Sequence, residues 1–258
     1  MTRWELIEYS SHDPAYNMAF DEALFNSGET GFPATVVRLY GWSPPALSLG
    51  RHQPAPGMLP PAPVRVVRRI TGGQAVFHDR ELTYSVTFPR ASGVLAGSLL
   101  DSYHLIADTL VRALRATGVD AVPSAPPLLR SRLDAQASCF AATGAFEIVA
   151  HGKKLVGSAQ RRGRTIALQH GSILFDMDET LYSEMFPDVP SDTLTTLRRE
   201  LGSTPPVTQL CSLLVDSFSR LFGAAPDISE HPEIERQAHV LSEKKHSTRQ
   251  WILHGKSE

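Results

Sequence analysis

From Leu82 to Phe88 the chain alternates strictly: Leu82, Tyr84, Val86 and Phe88 are apolar or aromatic, and Thr83, Ser85 and Thr87 between them are polar. A period of two is that of a half-buried strand. A longer period organises three other stretches. Asp13 followed by Pro14 offers a side-chain cap and a fixed φ at a helix start, and predicts a helix to about Asn26 or Ser27 with Ala15, Met18, Ala19 and Phe25 turned inward. Ser98 caps a second helix in which Leu99, Tyr103, Ile106, Leu110 and Leu114 recur at helical spacing, and Gly118 closes it. Residues 208–222 set Leu210, Cys211, Leu214, Val215, Phe218, Leu221 and Phe222 on one broad face.

Between these stretches the chain is extended or irregular. Residues 35–40, 46–49 and 64–69 read as short strands separated by proline-rich connections, of which residues 53–63 are the longest. Residues 120–138 carry no period and contain PSAPPLLRSR, a long irregular loop. A meander follows: residues 146–150, then KKLVGSAQRR, then TIALQHGSILFD, turned at His151-Gly152 and Arg162-Gly163. No βαβ alternation imposes a parallel order. The expected fold class is α/β (α+β), a mixed, largely antiparallel sheet flanked by helices. Residues 1–190 are expected to form a sheet-centred domain, and residues 191–258 a helical C-terminal extension of the same domain, ending in a polar helix over 232–245 and a short tail.

Composition narrows this picture. At 258 residues, 42% hydrophobic and 20% charged, the chain fits one large globular domain. Its net charge of −2 gives no global pull toward nucleic acid or an anionic membrane. No apolar run approaches bilayer length, and the first residues lack the apolar core of a signal peptide, so a cytoplasmic protein is expected. Two cysteines, without CxxC or HExxH spacing, support neither a disulfide framework nor a metal site.

Four patches can carry chemistry. The pair Gly72 and Gly73, in RRITGGQAVFHDRELTYS, brings backbone close to a ligand or makes a plain hairpin turn. It has neither the spacing of a phosphate loop nor that of a dinucleotide fold. In GKKLVGSAQRR, Gly157, Ser158 and Ala159 form a low-profile wall, and Lys154 either aims an ammonium group at an oxygen that gains charge or is a solvated hairpin lysine. Cys139 sits among small residues after the long loop, as a reactive thiol or an incidental one. Cys211, on an apolar helix stripe, reads as an inert core residue. His170, in LQHGSILFD, is a satisfied core histidine or a base.

Taken together, RRITGGQAVFHDRELTYS, GKKLVGSAQRR and LQHGSILFD, in that order, with the starting helix YNMAFDEAL and the strand VVRLYGW, resemble the catalytic domain shared by lipoate-protein ligases, biotin-protein ligases and octanoyltransferases of lipoate synthesis. The resemblance covers nearly the whole chain, since TTLRRELG and EKKHSTRQW also look like the octanoyltransferase branch. It implies a lipoate/biotin ligase-like fold and an acyl tunnel lined by Gly72, Gly73, Gly157, Ser158 and Ala159, with Arg69, His78 and His170 as further substrate-binding residues. It also places Lys154 at the acyl carbonyl and Cys139 at the acyl-accepting position. Gln74 stands where ligases carry a third glycine, and Ala141, Ala142, Thr143 and Gly144 depart from the usual surroundings of the cysteine.

What the resemblance implies is transfer of octanoate from the phosphopantetheine thioester of acyl carrier protein, through Cys139, to a lysine of a lipoyl domain or of glycine-cleavage H protein, with no nucleotide. Lys154 or His78 would take the amine proton. Arg161, Arg162 and Arg164, near one hairpin tip, are expected to dock an acidic partner. Two relatives of this reaction stay open: a lipoate or octanoate ligase needing ATP and magnesium, and an amidotransferase drawing octanoate from H protein. A non-catalytic acyl-binding protein on the same fold is the rival of another class.

Overall fold

The computed structural model describes residues 3–31, 34–55, 60, 62–124 and 147–256. In chain order the strands are β1 (Trp4–His12), β2 (Thr35–Trp42), β3 (Ala46–Leu49), β4 (Arg65–Arg68), β5 (Val76–His78), β6 (Glu81–Pro89), β7 (Ala121–Pro123), β8 (Ile148–Ala150), β9 (Lys153–Arg162), β10 (Ile166–Leu174) and β11 (Asp227–Ile228). The helices are α1 (Pro14–Thr30), α2 (Leu99–Ala116), α3 (Glu179–Met185), α4 (Leu197–Leu201), α5 (Val207–Phe222), α6 (Pro232–Leu241) and α7 (Arg249–His254). Eight strands form one sheet in the order β11-β1-β2-β6-β10-β9-β8-β7, parallel at β11-β1-β2 and antiparallel beyond. The mixed, largely antiparallel sheet is therefore as expected, with the addition of β1, which no period in the sequence marks.

The local signals act through ordinary capping. The Asp13 carboxylate accepts from the Ala15 N–H, and α1 runs past Ser27 to Thr30 before Gly31, at φ +121°, ends it. Ser98 and Asp101 form a reciprocal capping box at the start of α2. Leu99, expected on the inner face, is instead 42% exposed because it lies in the first turn, ahead of the packed stripe.

The central strands β2, β6 and β10 are buried on both sides, which corrects the half-buried reading of residues 82–88. Every residue from Glu81 to Phe88 is buried. One face carries Leu82, Tyr84, Val86 and Phe88 into a core shared with Leu110 and Leu114 of α2 and Leu210, Leu214 and Phe218 of α5. The polar positions that alternation assigned to solvent face α1: Ser85 donates to Asp21 and Thr83 accepts from the Trp42 indole. Residues of the C-terminal extension thus share a core with the first half of the chain.

The glycine pair is not a hairpin turn. β4 and β5, which flank it, are separated by β3 in a second, three-stranded sheet of order β4-β3-β5. The expected short tail is also more than a tail. After the polar helix, residues 242–246 make a π turn and 249–254 form α7, whose Trp251 is 1% exposed.

Candidate active site

A cavity lies on the α1 face of the main sheet and crosses four strands, from Tyr40 and Trp42 of β2, past Thr83 of β6 and His170, Gly171 and Ser172 of β10, to Gly157, Ser158 and Ala159 of β9. Met18 of α1, together with Ser48, Arg69, Val76 and His78 of the small-sheet side, closes it. About 390 Å³ there, open solvent at its mouth included, is free of protein atoms. Behind it, on the Tyr84 side of the sheet, Gly171 is tightly packed. A Cβ on Gly171 would stand 2.6 Å from the Gly157 carbonyl oxygen and the Ser158 Oγ, and 2.7 Å from the Tyr84 ring.

Its polar wall is one continuous hydrogen-bonded network. The Asp21 carboxylate accepts from Arg38 (3.1 Å), Ser85 (3.0 Å), Tyr40 (2.9 Å) and His170 Nδ1 (3.0 Å). His170 Nε2 in turn accepts from the Thr71 hydroxyl at 2.7 Å. Thr71 Oγ1 also accepts from Arg69, whose guanidinium donates to the Ser48 carbonyl and hydroxyl. Ser48 Oγ donates to His78 Nε2 at 2.7 Å, and His78 Nδ1 donates to Glu81 at 2.8 Å. Glu81 Oε1 further accepts from Thr83 and Ser172. Two histidine–carboxylate pairs therefore stand in the cavity wall, joined through Thr71, Arg69 and Ser48.

The charges are set by burial and partners. Burial is the largest influence on His170 and holds its pKa below 6.5 against the opposing pull of Asp21, with Arg69 and His78 adding to the depression. The neutral ring then carries its proton on Nδ1, toward Asp21. Burial would raise the Asp21 carboxyl, but the His170 hydrogen bond and Arg38 bring it below 3.8. Arg38 also stacks over Tyr40, 3.9 Å from the ring centroid. His78 lies flat on Trp42, with centroids 3.9 Å apart and planes 16° apart.

Of the residues singled out from sequence, Arg69, His78, Gly157, Ser158, Ala159 and His170 come together in the cavity lining. Gly72 and Gly73 are exposed and outside that lining; Arg69 holds the Gly72 carbonyl at 2.8 Å, and Gly73 takes φ +92°. Lys154 is no solvated hairpin lysine. It is 2% exposed, ion-paired to Glu147, and three residues along β9 from the first lining residue, or about 10 Å. Cys139 lies outside the described residues. Cys211 packs against the main core, and burial pushes its thiol up to about 11, as an inert cysteine requires.

The hairpin arginines diverge rather than cluster: Arg161 lies over the Phe25 ring on the α1 side, and Arg162 donates to the Gly97 carbonyl ahead of α2. Sequence reasoning missed Asp21, Arg38, Ser48, Thr71 and Glu81. The available signal was a charged residue inside an otherwise buried run, Asp21 in AFDEAL and Arg38 in VVRLY. Among the described residues no group of three histidine, cysteine or acidic side chains is placed to hold a metal, and no helix is long and apolar enough to cross a membrane.

Comparison with known proteins gives this site a context. The octanoyltransferase LipM of Kyrpidia tusciae is 39% identical over 256 residues, covering 92% of this chain and 93% of the relative. That of Staphylococcus aureus is 38% identical over 192 residues, covering 71% and 70%. A lipoate-protein ligase A structure bound with ATP superposes with a TM-score of 0.81 at 22% identity, over 98% of this chain and 99% of the other, a likeness of fold. The model of the lipoyl protein ligase A/B catalytic domain matches residues 13–219. With four fifths of its length under that model and the fold to match, the chain belongs to the lipoyl protein ligase A/B catalytic domain family.

Proposed function

We propose that the protein is an octanoyltransferase of protein lipoylation, taking the octanoyl group from a carrier-protein thioester and passing it to the lysine of a lipoyl domain or H protein. The likeness to the octanoyltransferase LipM of Kyrpidia tusciae, 39% identity across nearly the full length of both chains, carries this reading. A cavity that is narrow, largely buried and floored by glycine and alanine supports it, because an extended alkyl chain gains free energy there at about 25 cal/mol per Å² removed from water.

In this reading the Cys139 thiolate attacks the thioester carbonyl. A carbon–sulfur bond to Cys139 forms, that to the phosphopantetheine sulfur breaks, and the departing thiolate takes a proton. Lys154 donates to the oxyanion of the tetrahedral intermediate, an interaction whose loss typically raises the barrier by about 3 kcal/mol. The acceptor lysine, as free amine, then attacks the acyl-enzyme, releasing Cys139 and losing one proton. His78 is a candidate for that proton, since its Nδ1–H bond to Glu81 leaves Nε2 as the acceptor. No nucleotide enters the balance.

The test is intact-mass analysis after mixing with octanoyl carrier protein without ATP. An adduct of one octanoyl group, mapped to Cys139 and chased onto a lipoyl domain, is expected. Modification of the domain only with free lipoate or octanoate, ATP and magnesium would identify a ligase instead. Octanoate taken only from H protein would identify an amidotransferase.

A further inference from the structure

Arg68 and Arg69 are consecutive and buried, yet they do different work. Arg69 faces the cavity. Arg68, 1% exposed, points away from it and donates to main-chain carbonyl oxygens on two segments far apart in sequence. On one side are Gly50 (2.6 Å) and Gln53 (2.7 Å). On the other are Trp251 (3.1 Å), Ile252 (2.9 Å) and Leu253 (3.3 Å), the last turn of α7. No carboxylate pairs with it among the described residues. Its charge is met by the carbonyl end of a helix, where a cation is favoured.

The tie is reciprocal. The Trp251 indole donates to the Arg68 carbonyl at 2.9 Å, and Arg51 stacks on the same indole 4.4 Å from its centroid while donating to the Gly255 carbonyl. Lys245 and His246, just before α7, both bind Glu22 of α1, at 2.6 and 2.7 Å. From Arg68 the contacts lead directly to the cavity wall. Gly50 packs so tightly on the glycine pair that a Cβ there would lie 1.8 Å from the Gly73 carbonyl oxygen. The Arg51 N–H donates to the Thr71 carbonyl at 2.8 Å, and the Arg69 N–H to the Leu49 carbonyl at 3.0 Å. Residues 71–74 are thus held by Arg69 from the cavity side and by the 49–51 segment from the other.

We infer that Arg68 and Trp251 are positioning residues for the transfer reaction: α7, closing on Arg68, fixes the register of Arg69 and of the 71–74 turn against the acyl chain. The functional half of this statement rests on the acyltransferase reading; the mechanical half does not. A lysine at 68 keeps the charge but loses the planar fan of donors that reaches both segments. A phenylalanine at 251 keeps the packed ring and loses the single donor to the Arg68 carbonyl.

The experiment compares wild type with Arg68→Lys, Trp251→Phe and, as a strap variant that leaves Arg68 intact, Glu22→Gln. Amide hydrogen exchange of the full chain is followed over residues 49–53 and 70–76, alongside kcat and KM for octanoyl carrier protein and the rate ratio of octanoyl to hexanoyl and decanoyl donors. Exchange of the 71–74 amides should rise about tenfold or more in Arg68→Lys and Trp251→Phe, with exchange in β6 and β10 unchanged. The octanoyl preference should flatten together with a fall in kcat, because Arg69, which lines the cavity, loses its fixed register. Glu22→Gln should give the same pattern in weaker form. Unchanged exchange over 71–74 overturns the inference whatever the activity; raised exchange with an unaltered donor preference and kcat leaves α7 purely structural and overturns it equally. Absence of octanoyl transfer in wild type would count against the acyltransferase reading alone, since the exchange arm still decides the mechanical link.

Discussion

The Nδ1 of His170 stands 3.0 Å from the Oδ2 of Asp21, a pairing across 149 residues of chain that joins a sheet strand to the first helix. Asp21 is also the carboxylate of a buried ion pair with Arg38, at 3.1 Å with side chains 1% and 2% exposed. One carboxylate therefore fixes a buried cation and, in the cavity lining, a neutral imidazole.

Asp21→Asn should destabilise the protein by about 3 kcal/mol or more, because it leaves the Arg38 guanidinium buried beside an amide rather than a carboxylate. Urea unfolding at neutral pH measures this. A loss below about 1 kcal/mol would mean that stacking on Tyr40 and the bond to Asn17 are enough for Arg38.

The pH dependence of stability follows from the directions of the shifts. His170 is harder to protonate folded than unfolded, so the unfolded state binds more protons as pH falls below 6.5, and stability is lost from there downward. Asp21, with a folded pKa below 3.8, adds a second loss only below that pH. His170→Gln should therefore flatten the stability profile between pH 6.5 and 5 and also lessen the loss below pH 3.8, which Arg38 alone then sustains. An unchanged slope in the upper range would show that another group titrates there.

Ala159→Leu fills the β9 end of the cavity and should remove octanoyl transfer while shifting the melting temperature by only a few degrees, since the added volume enters free space. Gly171→Ala is the contrasting case. Its Cβ meets a backbone carbonyl at 2.6 Å, and overpacking of about 1–3 kcal/mol should appear together with loss of activity. Acyl transfer assays and thermal melts on both variants check the pair.

Lys154→Met should cost both rate and stability, as it removes one member of a buried ion pair. The double variant Lys154→Met with Glu147→Gln should recover stability toward wild type and leave activity at least a hundredfold down, because only the rate depends on the ammonium donor. Recovery of activity in the double variant would end the assignment of Lys154 to the oxyanion.

Arg162→Glu should raise KM for an acidic carrier at low salt and change little for a small octanoyl thioester, with the difference vanishing near 0.5 M salt. The same KM for both donors would place carrier docking elsewhere.

Sequence alone determined the family and those elements that carry a local signal, though not β1 or α7. The period-two run at residues 82–88, the capped helices at Ser98 and Asp13 and the ordered motifs are local, and each is specified by neighbours within a few positions. The glycine and alanine floor at 157–159 was legible for the same reason. What only tertiary structure decided was which polar side chains leave water. Alternation assigned Thr83 and Ser85 to solvent, but α1 and the small sheet cover that face, and burial forces every polar group there to find a partner. Asp21, Arg38, Glu81 and Arg68 acquired their roles in that way, and so did α7, which reads as a short tail until the Arg68 guanidinium closes its last turn. Burial and long-range pairing are properties of the assembled sheet, so no window of the chain encodes them.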